Sequence, residues 1–276
     1  MTINEFAGAK VNLCLHVTGL RDDGYHLLDS VVMFADLGDQ LHISLRPGRD
    51  VTLRITGPMA QGVPEGPENL VVRAAQSMGL GCELHLEKHL PAAAGIGGGS
   101  ADAAATLRGL SRASGQPLPA DRGLALGADV PVCLQPHAAR MQGIGQHVTP
   151  LPMPALHAVL VNPRVAVPTA AVFQGLAQKT NPALPDAIPA FASAAAACAW
   201  LAQQRNDLEA PALQVQPVIG QVLAALQAQP GLWLARMSGS GATCFGVFSG
   251  ADRAAAAAKA LQAAQPHWWV AACQLS

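Results

Sequence analysis

Alternating and periodic apolar positions along the chain predict a mixture of strands and helices. Residues 10–17 alternate apolar and polar side chains, as a strand with one buried face does. Similar runs, separated by glycine, proline and aspartate, predict the other strands of the first half at 27–36, 40–46, 51–56 and 82–90. Helical spacing ending in glycine predicts a helix over 68–79, and an Ala-rich helix is predicted to begin at Ser100.

The second half of the chain has the element order of a ferredoxin-like domain. Three prolines make 146–156 the best candidate linker. Beyond it, strands are predicted at 157–162, 232–237, 242–248 and 267–273, and helices near 169–178, 190–204, 211–228 and 251–264. Apart from the extra helices, this order is β–α–β–β–α–β, so we expect a ferredoxin-like fold here and an α+β protein as a whole.

Composition narrows the function classes. The 276 residues suit one large domain or two small ones. With 50% hydrophobic residues, 13% charged residues and a formal net charge of −1, the chain is neither disordered nor a general nucleic-acid binder. No apolar run approaches the ~18 residues of a membrane span, and no secretory signal is apparent, so we expect a cytoplasmic protein without membrane or nucleic-acid partners. The six widely spaced cysteines are expected to be buried, reduced thiols.

A glycine-rich stretch, PAAAGIGGGSADAAA at 91–105, is the strongest local signal. Glycines permit positive φ and close approach to an anion, and the following helix offers unpaired N–H groups, so the stretch predicts a phosphate cradle. Ser100 or Asp102 could cap the helix, or Ser100 could face a phosphate or its magnesium ion. A tight strand-to-helix turn without a ligand is the alternative. The stretch lacks the spacing of a P-loop or a Rossmann loop, and the chain has no protein-kinase motif.

This glycine motif resembles that of the GHMP kinases, named for galactokinase, homoserine kinase, mevalonate kinase and phosphomevalonate kinase. Further segments are similar to those members that phosphorylate the 2-hydroxyl of 4-diphosphocytidyl-2-C-methyl-D-erythritol in the non-mevalonate isoprenoid pathway. These segments are AKVNLCLH (9–16), GLRDDGYH (19–26), LGADVPVCL (126–134), RNDLE (205–209) and MSGSGATCFG (237–246). The resemblance covers nearly the whole chain. It departs from the family at Ala93, Ala94 and Gln146, and the stretch 111–125 is short.

The resemblance implies a two-domain GHMP kinase fold. A ribosomal protein S5-like N-terminal domain over 1–152 would carry the glycine loop, and a ferredoxin-like C-terminal domain would span 153–276. The implied activity is a kinase reaction that uses ATP, with Mg²⁺ carried on the nucleotide. The implied ATP site comprises Lys88, Pro91, Ala92, Ala93, Ala94, Gly95, Ile96, Gly97, Gly98, Gly99, Ser100 and Ala101. A solvated lysine at a strand end is the alternative for Lys88.

The resemblance also implies a catalytic pair, Lys10 and Asp129. Phosphoryl transfer needs an acceptor for the hydroxyl proton and neutralised phosphate charge. Asp129 is implied to accept the proton or to orient the hydroxyl, with Lys10 beside it and the phosphate. A turn or helix-cap aspartate and a solvated strand-end lysine are the alternatives.

Five residues are implied to bind the second substrate. Tyr25 and Phe173 would stack on the two faces of cytosine, and His26 would contact its edge. Asn12 would hydrogen-bond near the reacting hydroxyl, and Thr169 would help to fix the substrate. Phe173 could instead be a core aromatic and His26 a structural histidine.

Other features keep alternatives open. The glycines of SGSG (238–241) suit either a second loop against the phosphates or a hairpin turn, and Asn206 and Asp207 suit structural hydrogen bonds at a helix end. A GHMP kinase for another small alcohol and a non-catalytic nucleotide-binding regulator are the rival functions. The sequence predicts neither a protein ligand for Mg²⁺ nor an oligomeric state.

Overall fold

A computed structural model describes residues 2–276. The strands are β1 (Thr2–Leu20), β2 (His26–Arg46), β3 (Val51–Thr56), β4 (Gly81–Glu87), β5 (Ala139–Gly143), β6 (His147–Pro150), β7 (Leu156–Asn162), β8 (Leu232–Met237), β9 (Cys244–Phe248) and β10 (Trp269–Leu275). The helices are α1 (Leu70–Ser77), α2 (Gly98–Ser114), α3 (Val130–Cys133), α4 (Thr169–Gln174), α5 (Ala194–Ala202), α6 (Glu209–Val215), α7 (Val218–Gln227) and α8 (Ala251–Ala264).

The first compact unit comprises Met1–Lys10, Leu37–Ala92 and Gly97–Pro136. Its strand β4 pairs in parallel with β3 and antiparallel with β2. Because side chains alternate across a strand, Leu41, Ile43, Leu84 and Leu86 share one buried face. Helix α2 covers this face: a Cβ added at Gly109 would lie 2.4 Å from Ile43 Cδ1. Helix α1 packs along α2.

The second compact unit comprises Val11–Asp36, Ala93–Ile96 and His137–Ser276. Four of its strands form an antiparallel sheet in the order β10–β7–β9–β8. The first of these strands in the chain therefore lies between the last and the third, which is the ferredoxin-like order that the sequence predicts. Apolar residues of β7, α7 and α8, such as Val159, Val222 and Leu261, form its core.

The structure corrects several predicted element boundaries. The first strand begins at Thr2 rather than at residue 10, and β2 is continuous where two strands were predicted. The single helix predicted at 211–228 is two helices, because Pro217 cannot continue α6 and is instead the N-cap residue of α7. The predicted linker contains the short strand β6, which pairs with β5. The predicted domain boundary after residue 152 stays a prediction.

The cysteines agree with their sequence interpretation. All six are buried, and none of them forms a disulfide. Separately, in the part of the chain that is described, no helix combines the length and the apolar character required to cross a bilayer.

Candidate active site

An ion pair joins Lys10 and Asp129 in the first unit. Lys10 is buried on β1, and its Nζ lies 3.0 Å from Oδ2 of Asp129. Asp129 precedes the short helix α3, but its side chain makes no capping hydrogen bond and is 29% exposed. The solvated-lysine alternative is therefore wrong, and the predicted proximity of the two side chains is confirmed. Asp129 holds the N-cap position of α3, as the helix-cap alternative proposes, but its side chain does not cap the helix. A buried cation is held beside a carboxylate that solvent or a substrate can reach.

Gly97 brings the amino end of α2 to this ion pair. It is the N-cap of α2, with φ +65°. A Cβ added there would lie 3.2 Å from Lys10 Cε and 3.7 Å from Asp129 Oδ2, so the backbone passes the pair at close range. The first N–H groups of a helix lack intrahelical acceptors, and no side chain caps α2. The prediction that Ser100 or Asp102 caps this helix, and that the helix begins at Ser100, is wrong.

Lys88 lies under the first turns of α2, between two carboxylates. Its side chain is buried, its Nζ donates to Asp102 Oδ2 at 2.8 Å, and it also donates to Asp39. The other oxygen of Asp39 accepts from the backbone N–H groups of His89 and Leu90, at 2.5 and 2.9 Å. The solvated-lysine alternative is wrong, because Lys88 ties α2 to β2 and to the segment that follows β4.

Burial and the neighbouring charges act together on the pKa values in this ion-pair cluster. Burial raises the pKa of Asp102 to about 7, against the lowering effect of Lys88. Burial by itself lowers the pKa of Lys88, but Asp102 and Asp39 outweigh it, so the pKa of Lys88 is raised. Asp102 Oδ1 is also buried without a hydrogen-bond partner among the described residues.

Sequence reasoning missed the roles of Asp39 and Asp102 in this cluster. A signal existed for Asp102, which stands within a run of buried alanines on α2. A carboxylate at such a position requires a buried partner. Nothing comparable marks Asp39, because its partner is 49 residues away in the chain.

In the second unit, the first half of the glycine loop is held by the SGSG segment. Ser238 Oγ donates to the Gly95 carbonyl at 2.9 Å, and the Thr243 N–H donates to the Ala94 carbonyl at 3.1 Å. A Cβ at Gly95 would lie 2.5 Å from the Ser238 carbonyl oxygen, so only glycine fits there. The segment joins β8 to β9 and supports the glycine loop as well, so both interpretations of SGSG describe it in part.

Asn206 and Asp207 make structural hydrogen bonds, Asn206 to this segment and Asp207 to β1. Asn206 Nδ2 donates to the carbonyls of Met237 and Gly239 at 2.8 and 2.9 Å. Asp207 Oδ2 accepts from the Val17 N–H at 2.7 Å. The structural roles predicted for Asn206 and Asp207 are confirmed.

Two of the residues predicted to bind cytosine contact each other in the second unit. The ring centroids of His26 and Phe173 are 4.7 Å apart, with planes 32° apart. Nε2 of His26 is buried and lacks a hydrogen-bond partner among residues 2–276. Burial, with a smaller contribution from Lys179, lowers the pKa of His26. Phe173 also packs partly against the core, and Tyr25 is 57% exposed.

The two remaining substrate candidates are held by hydroxyl groups of the second unit. Asn12 is buried, and its Nδ2 donates to Ser30 Oγ at 2.8 Å. Its backbone N–H donates to Ser238 Oγ at 3.0 Å. Thr169 Oγ1 lies 2.9 Å from Ser240 Oγ. Ser238 is thus a positioning residue for both Asn12 and the glycine loop, which the sequence did not reveal.

The predicted site residues are divided between the units. Lys10, Lys88, Pro91, Ala92, Gly97, Gly98, Gly99, Ser100, Ala101 and Asp129 belong to the first unit. Asn12, Tyr25, His26, Ala93, Ala94, Gly95, Ile96, Thr169 and Phe173 belong to the second.

Comparison with protein families matches both parts of the chain. Residues 69–139 match the GHMP kinases N terminal domain, and residues 187–267 match GHMP kinases C terminal. A 4-diphosphocytidyl-2-C-methyl-D-erythritol kinase of Dinoroseobacter shibae is 58% identical over 268 residues, covering 96% of this chain and 92% of that protein. A protein of the same name from Cereibacter sphaeroides is 54% identical over 274 residues, covering 98% of each chain.

Comparison with solved structures agrees. A crystal structure of 4-(cytidine 5'-diphospho)-2C-methyl-D-erythritol kinase superposes with a TM-score of 0.81 and 33% identity, covering 99% of both chains. Homoserine kinase from Cytophaga hutchinsonii superposes with a TM-score of 0.69 and 19% identity, covering 100% of this chain and 94% of that one. The second likeness concerns the fold alone.

Proposed function

Because this chain belongs to the GHMP kinase family, we propose that it transfers the γ-phosphoryl group of ATP to the 2-hydroxyl of 4-diphosphocytidyl-2-C-methyl-D-erythritol. The names of relatives 54–58% identical over nearly the whole chain support this substrate. The observation that carries the chemistry is the 3.0 Å pair of Lys10 and Asp129 beside Gly97. We also propose a cytoplasmic location, because buried free cysteines are typical of a reducing compartment.

In the proposed reaction, the substrate hydroxyl gives its proton to Asp129 as its oxygen attacks the γ-phosphorus of ATP. The bond to the bridging oxygen breaks, and ADP leaves with that oxygen. Lys10, fixed by Asp129, offsets the negative charge on the transferring group. Asp129 and Lys10 both act through where their side chains are held, without forming a covalent bond to the substrate. This suits phosphoryl transfer, which needs little covalent help from the protein.

The first unit fits a bound triphosphate. The exposed or half-buried backbone at 97–100 leads into the uncapped amino end of α2, where N–H groups and the helix dipole favour an anion. A side chain at residue 97 would take up space beside Lys10 and Asp129, and so narrow the path by which a triphosphate reaches this end of α2. ATP would bring Mg²⁺ with it, held mainly by phosphate oxygens and water.

Base recognition is assigned to the second unit. His26 Nε2, buried and without a partner among the described residues, suits a hydrogen bond to the polar edge of cytosine. Tyr25 and Phe173 supply aromatic surface for stacking, which contributes about 1–3 kcal/mol per base. A small aliphatic alcohol would use none of this surface.

A coupled assay of ADP release tests the proposed substrate. We expect turnover with 4-diphosphocytidyl-2-C-methyl-D-erythritol and ATP, and at most background rates with homoserine or mevalonate. CMP should compete with the diphosphocytidyl substrate, because it presents the same base and first phosphate. Turnover of a small aliphatic alcohol without inhibition by CMP would instead support the rival GHMP kinase activity.

A further inference from the structure

A cluster of two histidines and one glutamate lies on the outer face of the first unit. His42 on β2 and His85 on β4 are directly opposed in the antiparallel pair, and Glu87 is two residues beyond His85. All three side chains therefore point away from the buried face of the same strands. One ligand atom from each residue lies within 4.8 Å of the others, and His42 Nε2 is 3.5 Å from Glu87 Oε1.

Each histidine uses one ring nitrogen in a hydrogen bond to a neighbouring side chain, which leaves its other ring nitrogen available to a metal ion. His42 Nδ1 lies 2.8 Å from Asn4 Oδ1, a carbonyl oxygen that only accepts, so in the neutral ring this contact favours the tautomer with the proton on Nδ1 and a lone pair on Nε2, the nitrogen that faces Glu87. His85 Nε2 lies 2.7 Å from the Thr56 hydroxyl, whose oxygen can accept a hydrogen bond from Nε2–H in the tautomer that leaves a lone pair on Nδ1. Partners of this kind fix the tautomer of histidines that bind metals.

We propose that His42, His85 and Glu87 bind one divalent transition-metal ion of the Zn²⁺ class, at a site that takes no part in phosphoryl transfer. Two imidazoles and one carboxylate are a ligand set that zinc accepts, with water in a fourth position. Mg²⁺ prefers oxygen ligands and would not select this site. Zinc–ligand distances of about 2.0–2.2 Å require the three side chains to close in from their present spacing by small rotations.

The groove beside the cluster gives access to a cation, and its lining holds charges of both signs, since Arg54 on β3 lies opposite His85. The neighbouring Glu83 is already paired with Arg46 at 2.6 Å, which leaves Glu87 as the anion of the cluster. His42 and His85 line an open groove of about 330 Å³, so ions and water have access. On its other side, Glu87 has a further neighbour, His89, whose Nε2 lies 4.0 Å from the second carboxylate oxygen.

A metal ion here would add a second side-chain link between strands that already pair through their backbone ladder and through the Arg46–Glu83 ion pair. It would connect β2 to β4 directly, and it would order β1 and β3 through Asn4 and Thr56. Because the ion binds the folded arrangement, it stabilises the first unit in proportion to the logarithm of its concentration. We therefore expect an effect on stability and none on the catalytic chemistry.

Titration of the full-length, chelator-treated, ATP-free protein with ZnCl₂ tests the proposal. Isothermal titration calorimetry should detect one equivalent of Zn²⁺ bound to this cluster, and the melting temperature should rise with Zn²⁺ concentration. MgCl₂ at the same concentrations should produce neither effect. The variants His42→Ala, His85→Ala and Glu87→Gln should each weaken Zn²⁺ binding at least ~10-fold, and Asn4→Ala about 10-fold through loss of the outer hydrogen bond.

The matched control is His267→Ala, which removes an exposed histidine of the second unit. It should bind Zn²⁺ as the wild type does. Kinase turnover without Zn²⁺ verifies that each variant is folded, since none of these residues belongs to the proposed active site. The proposal is overturned if the His42 and His85 variants bind Zn²⁺ like the wild type, or if the wild type binds no Zn²⁺.

Discussion

At Asp129, the chemical role and a purely structural one give different outcomes on mutation. Asn keeps the size of the side chain and an oxygen acceptor for Lys10, but it cannot take up a proton. We expect Asp129→Asn to lower kcat by about 10²–10⁴-fold, the usual contribution of a positioned proton acceptor. Steady-state kinetics measures kcat, and calorimetry should find the Kd for ATP changed by less than about threefold.

The same variant separates the kinase from a nucleotide-binding regulator. If the protein were a regulator on this fold, neither the wild type nor Asp129→Asn would show turnover, and ATP binding would be its only measurable activity. Asp121→Asn is a suitable control, because Asp121 is an exposed carboxylate of the same unit whose oxygens accept only nearby backbone N–H groups. Full turnover in Asp129→Asn would show that the reaction does not need Asp129 as a proton acceptor.

Lys88 differs from Asp129 because its bonds are to the protein itself. Replacing it with Met leaves Asp39 and Asp102 buried without their shared cation. Loss of one member of a buried ion pair costs about 3–5 kcal/mol, so we expect Lys88→Met to lower the free energy of unfolding by this amount. Urea unfolding measures it, with the exposed Lys259→Met as the control.

The opposite result at Lys88 would also be informative. If Lys88→Met unfolded like the wild type but raised the KM for ATP, Lys88 would contact the nucleotide rather than position α2. Sequence alone could not separate the two roles, because a lysine before a glycine loop suits both. The decisive partner, Asp39, becomes its neighbour only when β2 pairs with β4.

At the scale of single elements, the glycine loop depends on one backbone conformation. Gly97 has φ +65°, and an added Cβ would lie 3.2–3.3 Å from carbons of Lys10. We expect Gly97→Ala to lower the free energy of unfolding by about 1–3 kcal/mol, because Ala is strained at positive φ. It should also lower kcat by displacing Lys10 from Asp129.

Gly99→Ala is the matched comparison within the same helix. Its added Cβ would meet only Leu70 Cδ1, at 3.6 Å, and Ala is the better helix former. Urea unfolding should therefore find Gly99→Ala as stable as the wild type or more so. Equal stability of the two variants would mean that the loop relaxes around Gly97 without strain.

Short sequence patterns predict a strand or helix correctly where the residues of that stretch themselves determine it. The short runs at 51–56 and 232–237, bounded by turn residues, predict β3 and β8 with the observed bounds. Apolar and polar residues alternate in β3, whose apolar side chains are half-buried, and β8 buries Leu234, Arg236 and Met237. The break at Pro217 was missed, since the apolar positions continue on both sides of it. The strand β6 was missed because its four residues are mostly exposed and owe their order to β5.

At the scale of the whole molecule, the order of the predicted strands and helices was a better guide to the fold than their predicted lengths. The order β–α–β–β–α–β predicted the ferredoxin-like sheet correctly, although several helix boundaries were wrong. The composition of the two compact units could not be predicted, because both use discontinuous pieces of the chain. The glycine loop itself is divided between them at residues 96 and 97. Which residues belong together is decided by long-range pairing, and short windows of sequence do not contain it.

The charge state of Asp102 should appear in the stability of the whole protein. Burial raises the pKa of Asp102 in the folded state to about 7, above the ordinary value of 3.8. Between these two pH values the folded state binds more protons than the unfolded state, so this residue's contribution to stability falls as pH rises. Asp102→Asn abolishes the titration while keeping an oxygen acceptor for Lys88.

Urea unfolding of both proteins from pH 4.5 to 7.5 isolates this contribution, because every other titrating group is shared. We expect the wild type to lose on the order of 1–3 kcal/mol relative to Asp102→Asn over this range. Asp252→Asn, which changes an exposed carboxylate at the start of α8, should run parallel to the wild type. Parallel curves for Asp102→Asn as well would mean that Asp102 stays ionised throughout, as a permanent partner of Lys88. Lys88 would then hold two full negative charges in the interior rather than one.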